Sequence, residues 1–159
     1  MALDVDFSRL DAQDALDIAI VIEDEAQLAY EHLSAWVAGD GNAEAAQFFT
    51  RMAALEKRHK EAIQSRRTAL FGDAPPRHDE SAPWQAEVPD YEALGREVDL
   101  EDAFAVALDA EVRARDFYAE AIEYVDEATV VELFEWLKKA EIEHSRLITE
   151  ERDRHRLLD

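Results

Sequence analysis

One stretch of the chain sets the pattern for its fold: Met52-Ala-Ala-Leu-Glu-Lys-Arg-His-Lys-Glu-Ala-Ile63. Its apolar residues recur at the spacing of a buried helix face, and Glu56 and His59 lie on that same face. The second half of the chain repeats this pattern in Leu137-Lys-Lys-Ala-Glu-Ile-Glu-His-Ser-Arg-Leu-Ile148. A lone Glu-x-x-His pair arises by chance on helices rich in Glu. Two pairs inside apolar stripes predict a helical core that contains a polar site.

The distribution of Gly and Pro divides the rest of the chain into helices. All four Gly and all four Pro lie in two clusters, which leaves long segments without turn signals. Helix starts are indicated by capping residues at Asp11 and Asp99, and by Thr129 followed by Glu132. We predict an all-α four-helix bundle of two antiparallel hairpins, joined by a long crossover over 72–98. The predicted helices lie near 12–38, 42–70, 99–125 and 130–156.

The composition excludes several classes of protein. The 17 Lys and Arg against 38 Asp and Glu give a net charge of −21, which repels nucleic-acid phosphates and anionic membranes. The absence of Cys excludes disulfides, thiolate metal sites and thiol catalysis. No apolar run approaches the length that spans a bilayer, and the acidic N-terminus is unlike a signal peptide. We therefore expect a cytoplasmic protein in which residues 1–159 form one domain.

Two further carboxylates interrupt the apolar stripes of the other helices. Glu23 lies in the first predicted helix and Glu111 in the third. Counted from the connecting turns, each lies level with the Glu of its partner helix. Each unpaired buried charge costs several kcal/mol, and a folded domain has only about 5–15 kcal/mol of total stability. The pattern therefore predicts a metal site formed by Glu23, Glu56, His59, Glu111, Glu141 and His144.

The two hairpins also repeat each other, which indicates a pseudo-symmetric site. Glu23 is followed two helical turns later by Tyr30, and Glu111 is followed at the same spacing by Tyr118. The two Glu-x-x-His pairs occupy equivalent places in their hairpins. Such a two-fold arrangement is suited to two metal ions.

The chain resembles the rubrerythrin family of ferritin-like di-iron carboxylate proteins over nearly its whole length. The resemblance lies in these six positions and in the stretches Ala114-Arg-Asp-Phe-Tyr118 and Ala140-Glu-Ile-Glu-His-Ser-Arg-Leu-Ile148. It implies two bound iron ions, with manganese as the other metal the site would accept. The resemblance implies that Glu56 and Glu141 bridge the two metals and that Glu23 and Glu111 are terminal ligands. It also implies that His59 and His144 each bind one metal through the imidazole.

The resemblance also has two departures. Many rubrerythrins carry an additional Glu ligand one turn after the Glu of the third helix, and here that position is Ala114. The family commonly carries a rubredoxin-like module with four Cys, and this chain has none. The resemblance therefore implies an external protein as electron donor.

Three functions follow as hypotheses. The first is an oxidoreductase of the oxidative stress response that reduces hydrogen peroxide or dioxygen at a di-iron site, in a protein that forms a homodimer. The second is a ferroxidase or iron-handling protein without a cage of its own, because the fourth helix leaves no room for the fifth helix of cage-forming ferritins. The third is a metal-free structural or interaction bundle.

The remaining histidines, the tryptophans and two tyrosines are expected either to pack in the core or to be exposed to solvent. The resemblance implies that Tyr30 and Tyr118 lie beside the carboxylates. We expect them to be core aromatics with hydrogen-bonded hydroxyl groups rather than catalytic radicals. We expect His32 to be solvated, and His78 and His155 to lie in the crossover and in a frayed C-terminus. The three tryptophans are expected to be packing residues, and they are Trp36, Trp84 and Trp136.

Overall fold

Four long helices dominate the computed structural model, which describes residues 6–76 and 99–158. A 3-10 helix over Phe7–Arg9 precedes them, and the helices are α1 (Ala12–Gly39), α2 (Ala43–Phe71), α3 (Leu100–Tyr124) and α4 (Ala128–Leu157). The described ranges contain no strand. The predicted all-α four-helix fold is confirmed.

Side-chain caps explain where the helices begin. Asp11 and Asp99 each close a capping box at the start of α1 and α3, as the sequence predicts. The prediction that Thr129 caps α4 is wrong. Glu127 has extended backbone and accepts hydrogen bonds from the backbone N–H and the hydroxyl group of Thr129. The helix therefore begins at Ala128, before the expected cap.

The helices pack so that neighbours run antiparallel. α1 lies along α2 and α3 lies along α4, while α1 also contacts α3 and α2 contacts α4. Phe71 and Leu100 pack against apolar clusters at opposite ends of the bundle. The connection between α2 and α3 therefore joins opposite ends, as a crossover must. Residues 77–98, which make up most of the predicted crossover, lie outside the described residues.

Two apolar clusters fill the ends of the bundle and leave a polar layer between them. The first, here called the Phe134 cluster, contains Leu16, Ile63, Phe117, Phe134 and Leu137. The second, here called the Phe104 cluster, contains Leu33, Phe49, Met52, Phe104 and Ile148. Burial of these side chains is the main source of stability, because apolar area removed from water contributes roughly 25 cal/mol per Å². Among the described residues, no helix has the length and hydropathy needed to cross a membrane.

Candidate metal centre

The six polar residues that interrupt the apolar stripes meet at the middle of the bundle. They lie between the Phe134 cluster and the Phe104 cluster, with one Glu from α1, one from α3, and a Glu-x-x-His pair from each of α2 and α4. None is more than 5% exposed, and the six are Glu23, Glu56, His59, Glu111, Glu141 and His144. Helical periodicity brings them together because each occupies an inward-facing position of its helix. Their role as metal ligands stays a prediction.

His144 of α4 faces carboxylates from three helices. Its Nδ1 lies 2.9 Å from Oε1 of Glu56, 3.4 Å from Oε1 of Glu111 and 3.9 Å from Oε2 of Glu141. The imidazole is therefore within reach of both glutamates of the Glu-x-x-His pairs and of the Glu of α3.

His59 of α2 has the equivalent environment on the other side of the site. Its Nδ1 lies 3.2 Å from Oε1 of Glu141, 3.4 Å from Oε2 of Glu56 and 3.5 Å from Oε2 of Glu23. The rings of His59 and His144 stack with their centroids 5.0 Å apart. The pseudo-symmetry expected from the sequence repeat is therefore present in the geometry of the two histidines.

Two buried tyrosines connect the hairpins at this level. The hydroxyl group of Tyr30 on α1 donates to Oε1 of Glu111 on α3, and that of Tyr118 on α3 donates to Oε1 of Glu23 at 2.5 Å. Burial and the adjacent carboxylate charges raise the pKa of both tyrosines well above the ordinary value. Both phenols therefore remain hydrogen-bond donors, and each holds one oxygen of its partner, Glu111 or Glu23.

Some carboxylate oxygens at the centre meet no donor from the described chain. One buried oxygen of each of the four glutamates lacks a hydrogen-bond partner, as does Nδ1 of His59. Unpaired buried acceptors are costly, and several converging on one point call for a cation. Ligand atoms of Glu56, His59, Glu141 and His144 lie within 4.8 Å of one another. This mixed oxygen and nitrogen donor set fits iron or manganese.

The four carboxylates divide into two electrostatic classes. Burial raises the pKa of Glu56 and Glu141 well above the ordinary value, and repulsion from neighbouring carboxylates adds to the increase. Burial opposes ionisation of Glu23 and Glu111 as well, yet hydrogen bonding with Glu56 or Glu141 and the nearby histidines lowers their pKa. Without a metal, protons on the two central glutamates therefore reduce the repulsion that a cation would otherwise cancel.

Comparison with protein families identifies the family to which the chain belongs. A family model described as Rubrerythrin matches residues 14–151, a range that contains all six clustered residues. The chain belongs to the rubrerythrin family. The comparison with curated proteins gave no match. Rubrerythrins typically bind metal, and the buried Glu and His cluster is where this member can hold it.

Ala114 occupies the position at which many rubrerythrins carry an additional Glu ligand. It is buried in the Phe134 cluster with 3% of its surface exposed. The cluster of this rubrerythrin therefore has an apolar wall where those relatives have a carboxylate. The candidate donors at the centre are the six residues described above.

Trp136 lies beside the cluster and was not predicted there. The expectation that it is a packing residue is wrong in part, because it is 53% exposed. Its ring meets the ring of His59 at 75°, with the centroids 5.4 Å apart. Trp136 directly precedes the inward-facing Leu137, so it lies on the outer side of α4, where its edge covers His59. Helical periodicity marks it as outward-facing but does not reveal this contact between helices.

His155 also differs from its prediction. It was assigned to a frayed C-terminus, but it is buried, because α4 continues to Leu157 and its last turns pack beside Phe104. Its Nε2 lies 3.1 Å from Oε1 of Glu151. His32 is exposed as expected, and Trp36 is half-buried. The predictions for His78 and Trp84 lie outside the described residues.

Proposed function

We propose that this rubrerythrin is an oxidoreductase that reduces hydrogen peroxide or dioxygen at a site holding two iron ions. The observation that supports the proposal is the buried, pseudo-symmetric convergence of four carboxylates and two imidazoles with unpaired oxygens between them. The four carboxylate charges balance two divalent cations. Two such cations would therefore remove the electrostatic cost of the cluster.

The distances support a division of the six residues between two metals. His59 approaches Glu23, and His144 approaches Glu111, so each histidine would hold a metal together with one of these two carboxylates. Glu56 and Glu141 lie near both histidines and would bridge the two ions. Manganese is the other metal that this donor set accepts.

The residues around the six clustered side chains suit the site to redox chemistry. Bound as a ferrous pair at these residues, iron would supply the two electrons that cleavage of the O–O bond of hydrogen peroxide consumes. The Phe134 and Phe104 clusters exclude water from both ends of the site, which strengthens electrostatic interactions inside it. The phenols of Tyr30 and Tyr118 orient the terminal carboxylates and keep their second oxygens directed at the centre.

The partners of the reaction are part of the proposal. Residues 1–159 contain no Cys that could form a rubredoxin-type centre, and we propose that a separate protein returns the electrons. We further propose a cytoplasmic homodimer that binds neither nucleic acid nor membranes, since the net charge of −21 repels both phosphate-rich partners. Size-exclusion chromatography with light scattering tests the dimer.

An anaerobic titration with Fe(II), followed by hydrogen peroxide in one aliquot and air in another, tests the function. We expect saturation at two irons per chain and fast oxidation by peroxide, followed through near-ultraviolet absorbance. E56Q should lose stoichiometric binding, whereas E61Q, at an exposed position of α2, should retain it. Fast oxidation only by air would favour a ferroxidase. No binding would favour a metal-free structural bundle and refute the proposal.

A further inference from the structure

An open groove lies between α2 and α4, the two helices that carry the Glu-x-x-His pairs. Its volume of about 530 Å³ is within the range of small-molecule sites, roughly 300–1,000 Å³. Apolar side chains line it, and they are Phe48, Met52, Leu55 and Leu147. Met52 lies one helical turn before Glu56, and Leu147 lies one turn after His144. The groove therefore starts at the level of the candidate metal centre and continues toward one end of the bundle.

The charges along the groove leave an unbalanced positive pair. The charged side chains that α4 contributes are paired, because Arg154 contacts Glu151 and Glu44 of α2, and Glu150 contacts Arg146. On the α2 side, neither Arg51 nor Arg58 pairs with a carboxylate of the described residues.

The guanidinium carbon of Arg51 lies 6.0 Å from the ring centroid of Phe48, and both arginines line the groove. In a chain of net charge −21, two cations that pair with no carboxylate in residues 6–76 and 99–158 and lie beside an apolar floor are suited to an anion.

The sequence repeat explains why this side of the site is open. Arg51 directly precedes Met52 in α2, as Trp136 directly precedes Leu137 in α4. Trp136 covers His59 with its ring. The position equivalent by pseudo-symmetry on the His144 side carries Arg51, whose flexible side chain leaves the groove uncovered. The two halves of the site therefore differ in how much room they leave for a ligand.

We propose that this groove binds an amphipathic organic anion with one carboxylate. Arg51, whose guanidinium group lies beside Phe48, would hold the carboxylate, since a guanidinium group matches its geometry. The hydrocarbon chain would cover Met52 and Leu55, and Arg58, two turns further along α2, adds to the positive potential of the groove. A single charge is favoured over a phosphate because the acidic surface of the chain repels multiply charged anions more strongly. The arrangement fits a medium-chain fatty acid.

The groove also indicates a further class of substrate, and this inference rests on the proposed function. A hydroperoxide that carries such a carboxylate would be bound with its tail in the groove, next to the His144 half of the metal centre. Reduction breaks its O–O bond, consumes two electrons from two ferrous ions and two protons, and yields an alcohol and water. The substrate class would then include fatty-acid hydroperoxides in addition to hydrogen peroxide.

Isothermal titration of the metal-free protein with decanoate tests the groove without any reliance on turnover. We expect one saturable site per chain, with affinity that falls as salt is added. The double variant R51Q/R58Q should weaken binding about tenfold or more, which is the loss of about one charge-assisted hydrogen bond. R51W, which copies Trp136, should close the groove and abolish binding. R115Q, on α3, removes the same charge away from the groove and should bind as the parent does.

Three results would overturn the groove proposal. The first is that decanoate shows no saturable binding, and the second is that R51W binds decanoate as tightly as the parent does. The third is that R51W shifts a monomer–dimer equilibrium that decanoate leaves unchanged. A comparison of hydroperoxydecanoate with tert-butyl hydroperoxide on ferrous protein then separates the two proposals. Decanoate binding without oxidation by any peroxide would refute the proposed function alone, and oxidation by hydrogen peroxide without decanoate binding would refute the groove alone.

Discussion

Glu56 makes the metal-free centre sensitive to pH. Burial and neighbouring carboxylates raise its pKa, so the folded state holds its proton more tightly than the unfolded chain does. The corresponding stability is present at low pH and is lost as the pH rises through the raised pKa. Gln has the same shape and does not titrate. We expect E56Q to stabilise the metal-free protein by about 1–2 kcal/mol at pH 8, and by less at pH 6.

Urea unfolding with a chelator at the two pH values measures this effect. E61Q is the matched control, because Glu61 is exposed on the same helix, and its pH profile should follow that of the parent. A loss of stability in E56Q at pH 8 would contradict the electrostatic explanation. With Fe(II) present under anaerobic conditions the order should reverse, since E56Q removes one of the proposed metal ligands.

Tyr30 stabilises a carboxylate that belongs to the other hairpin. Its phenol donates to Glu111, and Y30F would leave that buried oxygen without a donor. We expect Y30F to cost about 1.5–3 kcal/mol, the range for a hydrogen bond to a charged group. Y124F is the control, because Tyr124 is 47% exposed, and it should change the free energy of unfolding by less than about 0.5 kcal/mol. Equal losses in the two variants, measured in urea, would argue against this role.

At the scale of the elements, the end of α1 depends on one glycine. Gly41 has φ of +81°, its N–H donates to the carbonyl of Ala38, and the N–H of Asn42 donates to that of Val37. This pair of hydrogen bonds forms a Schellman motif, which requires a left-handed residue. Gly39 has no such requirement and nothing within 4 Å of an added Cβ.

We therefore expect two alanine substitutions at this turn to differ in their effect on the free energy of unfolding. G41A should destabilise the protein by about 1 kcal/mol, because L side chains disfavour positive φ. G39A should leave stability unchanged or raise it by about 0.5 kcal/mol, because it reduces the entropy of the unfolded chain. Urea unfolding of both variants under the same conditions tests the pair, and similar values would show that the turn does not need the left-handed residue.

For the whole molecule, metal binding should couple the two hairpins. The candidate ligands come from all four helices, so bound metal would connect elements that otherwise meet through apolar contacts. A metal present at one hundred times its Kd should add about 2.7 kcal/mol to the free energy of unfolding. Thermal unfolding with Mn(II), followed by a chelator that reverses the shift, measures this gain. An unchanged Tm with metal would favour the structural-bundle hypothesis.

Much of this architecture follows from local sequence patterns. Asp11 and Asp99 mark helix starts because capping depends only on residues within one turn. Glu56 and His59 lie on one face of α2 because that is a property of the helical repeat. The prediction from Thr129 was wrong because a threonine hydroxyl group at a helix start can either cap the helix or donate to the residue that caps it. The extended backbone of Glu127 makes Glu127 the cap, and Thr129 donates to it.

The sequence by itself determined the four helices, the apolar stripes and the six polar residues that interrupt them, since each depends on spacing within one helix. Only the tertiary structure decided that Tyr30 contacts Glu111, that Trp136 covers His59, that His155 is buried and that a groove opens beside Arg51. These features depend on the relative height and rotation of helices from different hairpins. Packing across the bundle sets those quantities, and the periodicity of a single helix contains no information about them.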